Sequence, residues 1–209
     1  ADIPFFVVSN YLVANGAKTL TSTNVYPNSE LYQRIIWTEE KYEEISDRIE
    51  YEIAAFLNAV SAGDISEESS MRIKAMYKII GELESLGDSG EAISRILSRK
   101  NINKKKFDNN SIKNLNAMAD AVEQAYNAMI ENLTLAHKGE LVNILNANNA
   151  EDRLNTLRNN LRDEMIENID NDGKNYHTGV YYIDIVNTYE RMGDFMINIS
   201  QDLERAFIR

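Results

Sequence analysis

ELESLGDSGEAIS (Glu82 to Ser94) returns as TYERMGDFMINIS (Thr188 to Ser200), 106 residues further along the chain. Five positions are identical, namely Glu84/Glu190, Gly87/Gly193, Asp88/Asp194, Ile93/Ile199 and Ser94/Ser200, while Leu83/Tyr189 and Leu86/Met192 keep their apolar character. An echo at that distance predicts two units of about 105 residues each, which accounts for a length of 209. Around the first copy, Ile73, Met76, Ile80, Leu83, Leu86, Ile93 and Leu97 recur mostly three or four apart. Around the second, Ile183, Val186, Tyr189, Met192, Met196, Ile199, Leu203 and Phe207 do the same. That period is the mark of a helix with one buried face, and no sustained alternation competes with it.

Working outward, the same spacing links Leu31, Ile35, Tyr42, Ile45, Ile49, Ile53, Phe56 and Val60 into a long helix. SAGDISEE then supplies a turn, with Asp64 and Glu67 in capping-box spacing. Beyond the polar stretch RKNINKKKFDNN the pattern resumes from Leu115 to Leu141. NANNAEDR, with Asn148 or Asn149 as the expected cap, opens a helix through Leu154, Leu157, Leu161, Met165 and Ile169. A shorter apolar helix is expected over about Pro4 to Ala17. Both prolines, Pro4 and Pro27, lie before Asn28, so the long segments contain no proline at all. The expected fold is therefore all-α, six helices as two tandem antiparallel three-helix bundles, with repeats over 1–103 and 104–209. Gly63, Gly139, Gly173 and Gly179 sit among turn residues, whereas Gly87, Gly90 and Gly193 interrupt apolar segments at a cost of roughly 1 kcal/mol each relative to alanine. The second group calls for a reason.

Composition removes several function classes. Against 22 Lys and Arg stand 33 Asp and Glu, a net charge of −11 that repels nucleic-acid phosphates and anionic headgroups. The absence of cysteine excludes thiolate zinc sites, iron–sulfur clusters and cysteine nucleophiles, and is consistent with a reducing compartment. With only His137 and His177, a site of three imidazoles cannot be assembled from one chain. The longest apolar stretch, near Ile3 to Val8, is far short of the roughly 18–20 residues that cross a bilayer.

Carboxylates are the residues that call for explanation. On a helix, positions i and i+4 lie about 6 Å apart on one face, so Glu84 with Asp88 and Glu190 with Asp194 pair like charges. A single such pair is ordinarily a solvated helix face. Here each pair adjoins the apolar seam and carries a glycine that lets another backbone or an ion approach. Partly buried acids of like charge require a cation or a proton. The preceding helix offers Glu43 and Asp47, again four apart, and then Glu50, beside Ile45 and Ile49. Antiparallel packing would gather these with Glu84 and Asp88 into a hard-cation site suited to iron, manganese, magnesium or calcium, with zinc also compatible. In the second unit the corresponding stretch is Glu151 and Asn155, one acid and one amide, and a weaker or differently occupied site is expected.

ELESLGD and YERMGD resemble the acid-x-x-x-Asp signature of the PhoU family, and KYEEISDRIEYEIAAFL (Lys41 to Leu57) is similar to that family's preceding helix. The likeness covers Leu31 to Leu97 well, Ile112 to Phe207 moderately and Ala1 to Asn28 only in apolar character. It is most like the PhoU-like cytoplasmic domain of bacterial sodium/phosphate cotransporters. What the resemblance implies is a cytoplasmic, non-enzymatic regulator of phosphate uptake, at the inner face of the membrane if it belongs to a longer transporter chain. Its implied partners are a phosphate transporter or its membrane part, a sensor kinase, and a second copy in a homodimer, with no nucleic acid. Implied metal ligands are Glu43, Asp47, Glu84 and Asp88, then Glu190 and Asp194; Glu50 and Glu151 join them by position. Asn155 where aspartate is usual, Ser85 where arginine is usual and Ile197 where a further acid is common depart from the pattern, and put the second metal site in doubt. The rival reading is a metal-free helical scaffold whose acidic faces dock a basic partner. A ferritin-like di-iron enzyme would need Glu-x-x-His, and neither histidine has Glu three residues before it.

Overall fold

In a computed structural model the described residues are 30–172 and 176–207, and they form five helices. These are α1 (Glu30–Ser61), α2 (Glu67–Ile102), α3 (Asn109–Lys138), α4 (Ile144–Asp172) and α5 (Tyr176–Phe207). The expected count of six is thus corrected to five among the described residues, and the helix expected over about Pro4 to Ala17 lies outside them.

Local chemistry explains where the helices begin and end. Ser66 caps α2 by accepting from the Ser69 amide at 3.1 Å, a role expected of Asp64. Asp108 caps α3 through the Ser111 amide at 2.7 Å. Gly139 closes α3 with φ of 73°, the left-handed conformation that a Cβ disfavours. At α4 the cap is Asn143, whose Oδ1 accepts from the Asn146 amide at 3.1 Å, so the helix starts several residues before Asn148 and Asn149. Gly179, expected in a turn, is buried inside α5.

Helix α5 is the centre of the molecule. It packs against α2, α3 and α4, while α3 also packs on α4, giving a three-helix bundle in the second unit. Tyr189, Met192, Ile185 and Ile199 of α5 meet Leu83 and Ile93 of α2, Leu115, Met118 and Met129 of α3, and Leu154 of α4 in one continuous core. Among the described residues α1 packs on α2 alone, through a smaller cluster of Ile53, Leu57 and Ile80. Phe56 and Val60, expected on the buried stripe of α1, are exposed because one neighbour covers only part of that stripe. Leu141 is exposed as well, beyond the end of α3.

Polar groups register the elements on one another. Buried Asn132 of α3 donates to Ser200 Oγ of α5 at 3.1 Å and accepts from the Asn143 amide at 2.7 Å, tying the start of α4 to the core. Asn198 of α5 donates to Glu82 of α2 at 3.1 Å, and Lys78 of α2 stands 3.6 Å from Asp202 of α5. No helix among the described residues is long and apolar enough to cross a membrane.

Candidate metal centre

Leu83 and Leu86 of α2 point into the main core, which turns Glu84 and Asp88 onto the flank of the helix. On α1 the residues packed towards α2 are Ile49 and Ile53, and Asp47 lies beside them. The hairpin therefore brings Asp47, Glu84 and Asp88 together, with one carboxylate oxygen from each lying within 4.8 Å of the others. Among the described residues this is the sole group of three or more potential metal ligands so gathered. Glu50 is half-buried and close enough for its charge to act on Glu84, but it stands outside the trio. Glu43 lies on α1, and its side chain falls outside the described residues.

Burial is shallower than the sequence suggests: Glu84 is half-buried, while Asp47 and Asp88 open to solvent. Even so, the grouping costs energy. Glu84 is pushed up from 4.5 to about 7, first by burial, then by the charge of Asp88 and a hydrogen bond with it, with Glu50 and Asp47 adding to the effect. Asp47 is raised too, by burial and then by Asp88. Ser85 Oγ donates a long hydrogen bond of 3.4 Å to Glu84. Oxygens bound to one hard cation at about 2.0–2.6 Å stand up to roughly 4–5 Å apart, so the trio's spacing suits such an ion. The donor set is all oxygen and open on one side to water, and with Glu84 pushed up to about 7 an ion would compete with a proton there.

The proton makes a prediction about the metal-free protein. An acid whose value is raised on folding stabilises the fold fully below its unfolded value, and that contribution is lost as pH rises through the folded value. For Glu84 the window runs from 4.5 to about 7. Asp47, Glu82, Glu151 and Asp194 are raised as well, each chiefly by burial, and act with the same sign. In chelator, the urea midpoint is expected to fall between pH 5 and pH 8; a midpoint that rises over this range contradicts the account.

The second unit is built differently. Asn155 of α4 donates its amide to Glu151, and Arg158 Nη2 of α4 meets Glu190 of α5 at 2.5 Å. Glu190, Asp194 and Glu151 are near enough for their charges to interact, yet they do not form a trio like that of the first unit. Asp194 is raised by burial and by Glu190, and lowered by Arg158 and Arg191. Arg158, which pairs with Glu190, is a residue of this second cluster that the spacing of the acids does not point to. A signal for it exists in the sequence: the shift of 108 that pairs Glu43 with Glu151 and Asp47 with Asn155 also pairs Glu50 with Arg158.

Gly193 has a structural use. A Cβ there would lie 2.6 Å from Leu154 Cδ1, so the bare backbone admits a core side chain of α4, rather than an ion or another backbone. His137 is exposed near the end of α3, away from any ligand group, and the side chain of His177 lies outside the described residues. Tyr182 and Tyr189 are core residues, as their spacing predicts.

The PhoU domain model matches residues 115–203. The fold matches the crystal structure of PhoU from Pseudomonas aeruginosa with a TM-score of 0.79 at 14% identity, covering 98% of this chain and 95% of that one. It also matches the crystal structure of the phosphate transport system regulatory protein PhoU from Streptococcus pneumoniae, with a TM-score of 0.68 at 16% identity over 98% of this chain and 94% of that one. No sequence match to a curated protein was found.

Proposed function

With a PhoU domain over 115–203 and a PhoU fold as premises, we propose that this chain regulates phosphate uptake through protein contacts and without chemistry of its own. The observation that carries the metal part of this reading is the meeting of Asp47, Glu84 and Asp88 on the first hairpin. These three acids hold a divalent or trivalent ion such as iron, zinc, manganese or magnesium, with Glu43 and Glu50 on the same helix as further oxygen donors. The ion would supply positive charge there and would link α1 to α2. A hairpin fastened in this way presents a different surface from one whose acids repel, and a partner that prefers one arrangement shifts the population between them.

The partner is a phosphate transporter or its membrane part, or a sensor that reports on it, and the setting is the cytoplasm. The likeness of KYEEISDRIEYEI and ELESLGDS to the domain of sodium/phosphate cotransporters makes a physically attached transporter the preferred arrangement. The two repeats, 1–103 and 104–209, then divide the work, with the metal in the first.

Removing the chain from its cell and following phosphate uptake at low and high phosphate tests this function. Uptake is expected to lose its repression at high phosphate; uptake unchanged at every phosphate level overturns the regulatory reading. Asp47→Asn/Glu84→Gln/Asp88→Asn in the same assay separates the readings within it. Loss of regulation supports the metal as part of the signal, whereas full regulation by a protein without metal supports the scaffold alone.

A further inference from the structure

The two units of one chain do not carry equivalent sites. Aligned by their shift of 108, the companion helices read Glu43, Asp47 and Glu50 in the first unit against Glu151, Asn155 and Arg158 in the second. An acid has become an amide, and another acid has become a guanidinium. The facing helix keeps its two carboxylates, as Glu84 and Asp88 in one unit and Glu190 and Asp194 in the other. We propose that Arg158 is a built-in counter-ion standing where a metal would bind, so that this chain loads metal in its first unit alone. The proposal rests on the metal reading of the first unit.

Geometry supports it from several sides. Arg158 Nη2 and Glu190 Oε1 are 2.5 Å apart, and the two side chains are only 24% and 15% exposed. An arginine cannot lose its proton, so its charge is permanent at any pH at which the protein folds. Arg158 Nη1 in turn donates to Asn159 Oδ1 at 2.9 Å, a second tether on the guanidinium. Asn155 donates to Glu151 Oε1 and so occupies one oxygen of a second potential ligand. A cation arriving here would have to evict a tethered one and would find one oxygen of Glu190 and one of Glu151 held by other partners. Among the described residues of the first unit, no lysine or arginine makes an ion pair with Asp47, Glu84 or Asp88, whose oxygens face one another instead.

The test compares metal content by mass spectrometry after dialysis of the full chain against manganese or zinc ions. For the wild type, Asp47→Asn/Glu84→Gln is expected to remove the bound metal and Glu190→Gln to leave it unchanged. Installing the first unit's residues, Arg158→Glu/Asn155→Asp, is expected roughly to double it by creating a second ligand set. Loss of metal in Glu190→Gln, or no gain in a folded Arg158→Glu/Asn155→Asp, overturns the proposal. A metal-independent arm keeps the test open if that double variant does not fold. In chelator, Arg158→Gln is expected to lower the urea midpoint, and adding Glu190→Gln to recover most of the loss, because the stranded carboxylate is then gone. Strictly additive losses overturn the counter-ion role. If the wild type takes up no metal while the midpoints still recover, the metal reading of the first unit fails and the counter-ion stands.

Discussion

Leu154→Ala is expected to destabilise the fold by about 2–5 kcal/mol, the range for truncating a buried leucine. Leu154 has no exposed surface and lies over the backbone of Gly193, at the crossing of α4 and α5. Filling the glycine side of the same contact is expected to hurt as well. Gly193→Val puts a Cβ at 2.6 Å from Leu154 Cδ1, a distance that real carbon atoms do not keep, so the fully buried Leu154 side chain must shift within the core. Overpacking of this kind costs about 1–3 kcal/mol. The combination is the informative variant. In Leu154→Ala/Gly193→Val the new methyls occupy room that the leucine has left, so the double variant is expected to be less destabilised than the sum, by about 0.5–3 kcal/mol. Urea unfolding of the four proteins measures this directly. Simple additivity would show that the two residues do not share the contact, and the role given to this glycine would fail.

Glu84→Gln/Asp88→Asn is expected to abolish the response of the protein to metal. In the wild type an ion bound to the folded state alone stabilises it, by about 2.7 kcal/mol at a concentration one hundred times Kd. For a protein of this size that corresponds to a rise of roughly 5–10 °C in melting temperature. With Glu84 and Asp88 neutral, Asp47 is the last carboxylate of the trio, and the rise is expected to vanish. In chelator at pH 8 the order inverts. The neutral variant lacks the buried charge and the repulsion from Asp88 that together push Glu84 up to about 7, so it is expected to melt above the wild type. The two outcomes together distinguish a cation site from a merely acidic surface, since a solvated helix face predicts neither shift. Melting in chelator and in excess manganese, at pH 6 and pH 8, reads both.

Much of this arrangement is legible in the amino-acid order, because helix period and repeat both act over short distances. Leu83, Leu86, Tyr189 and Met192 announce the buried faces of α2 and α5, and those faces fix which flank Glu84 and Asp88 occupy. The antiparallel turn between α1 and α2 then makes Asp47 their neighbour. What escapes such a reading depends on competition between similar residues. NANNA offers several asparagines able to cap a helix, and Asn143 prevails because its amide is already fixed by Asn132, a residue 11 positions away in sequence and buried in the core. Ser66 prevails over Asp64 because its oxygen reaches the Ser69 amide. Phe56 and Val60 read as buried because periodicity reports a face, whereas burial depends on how many neighbours that face meets. Arg158 was hidden by its charge. A search for acids passes over the one position where the second unit substitutes a base, although the alignment of the repeats points to it.

The central claim is that three convergent acids of the first hairpin exist to hold a cation. Metal content of the wild-type chain, grown with iron, manganese and zinc supplied and purified without chelator, tests it most directly. Bound metal that disappears in Asp47→Asn/Glu84→Gln/Asp88→Asn is the predicted result. A wild-type chain that emerges free of metal, and takes up none from manganese or zinc at pH 8, would contradict it.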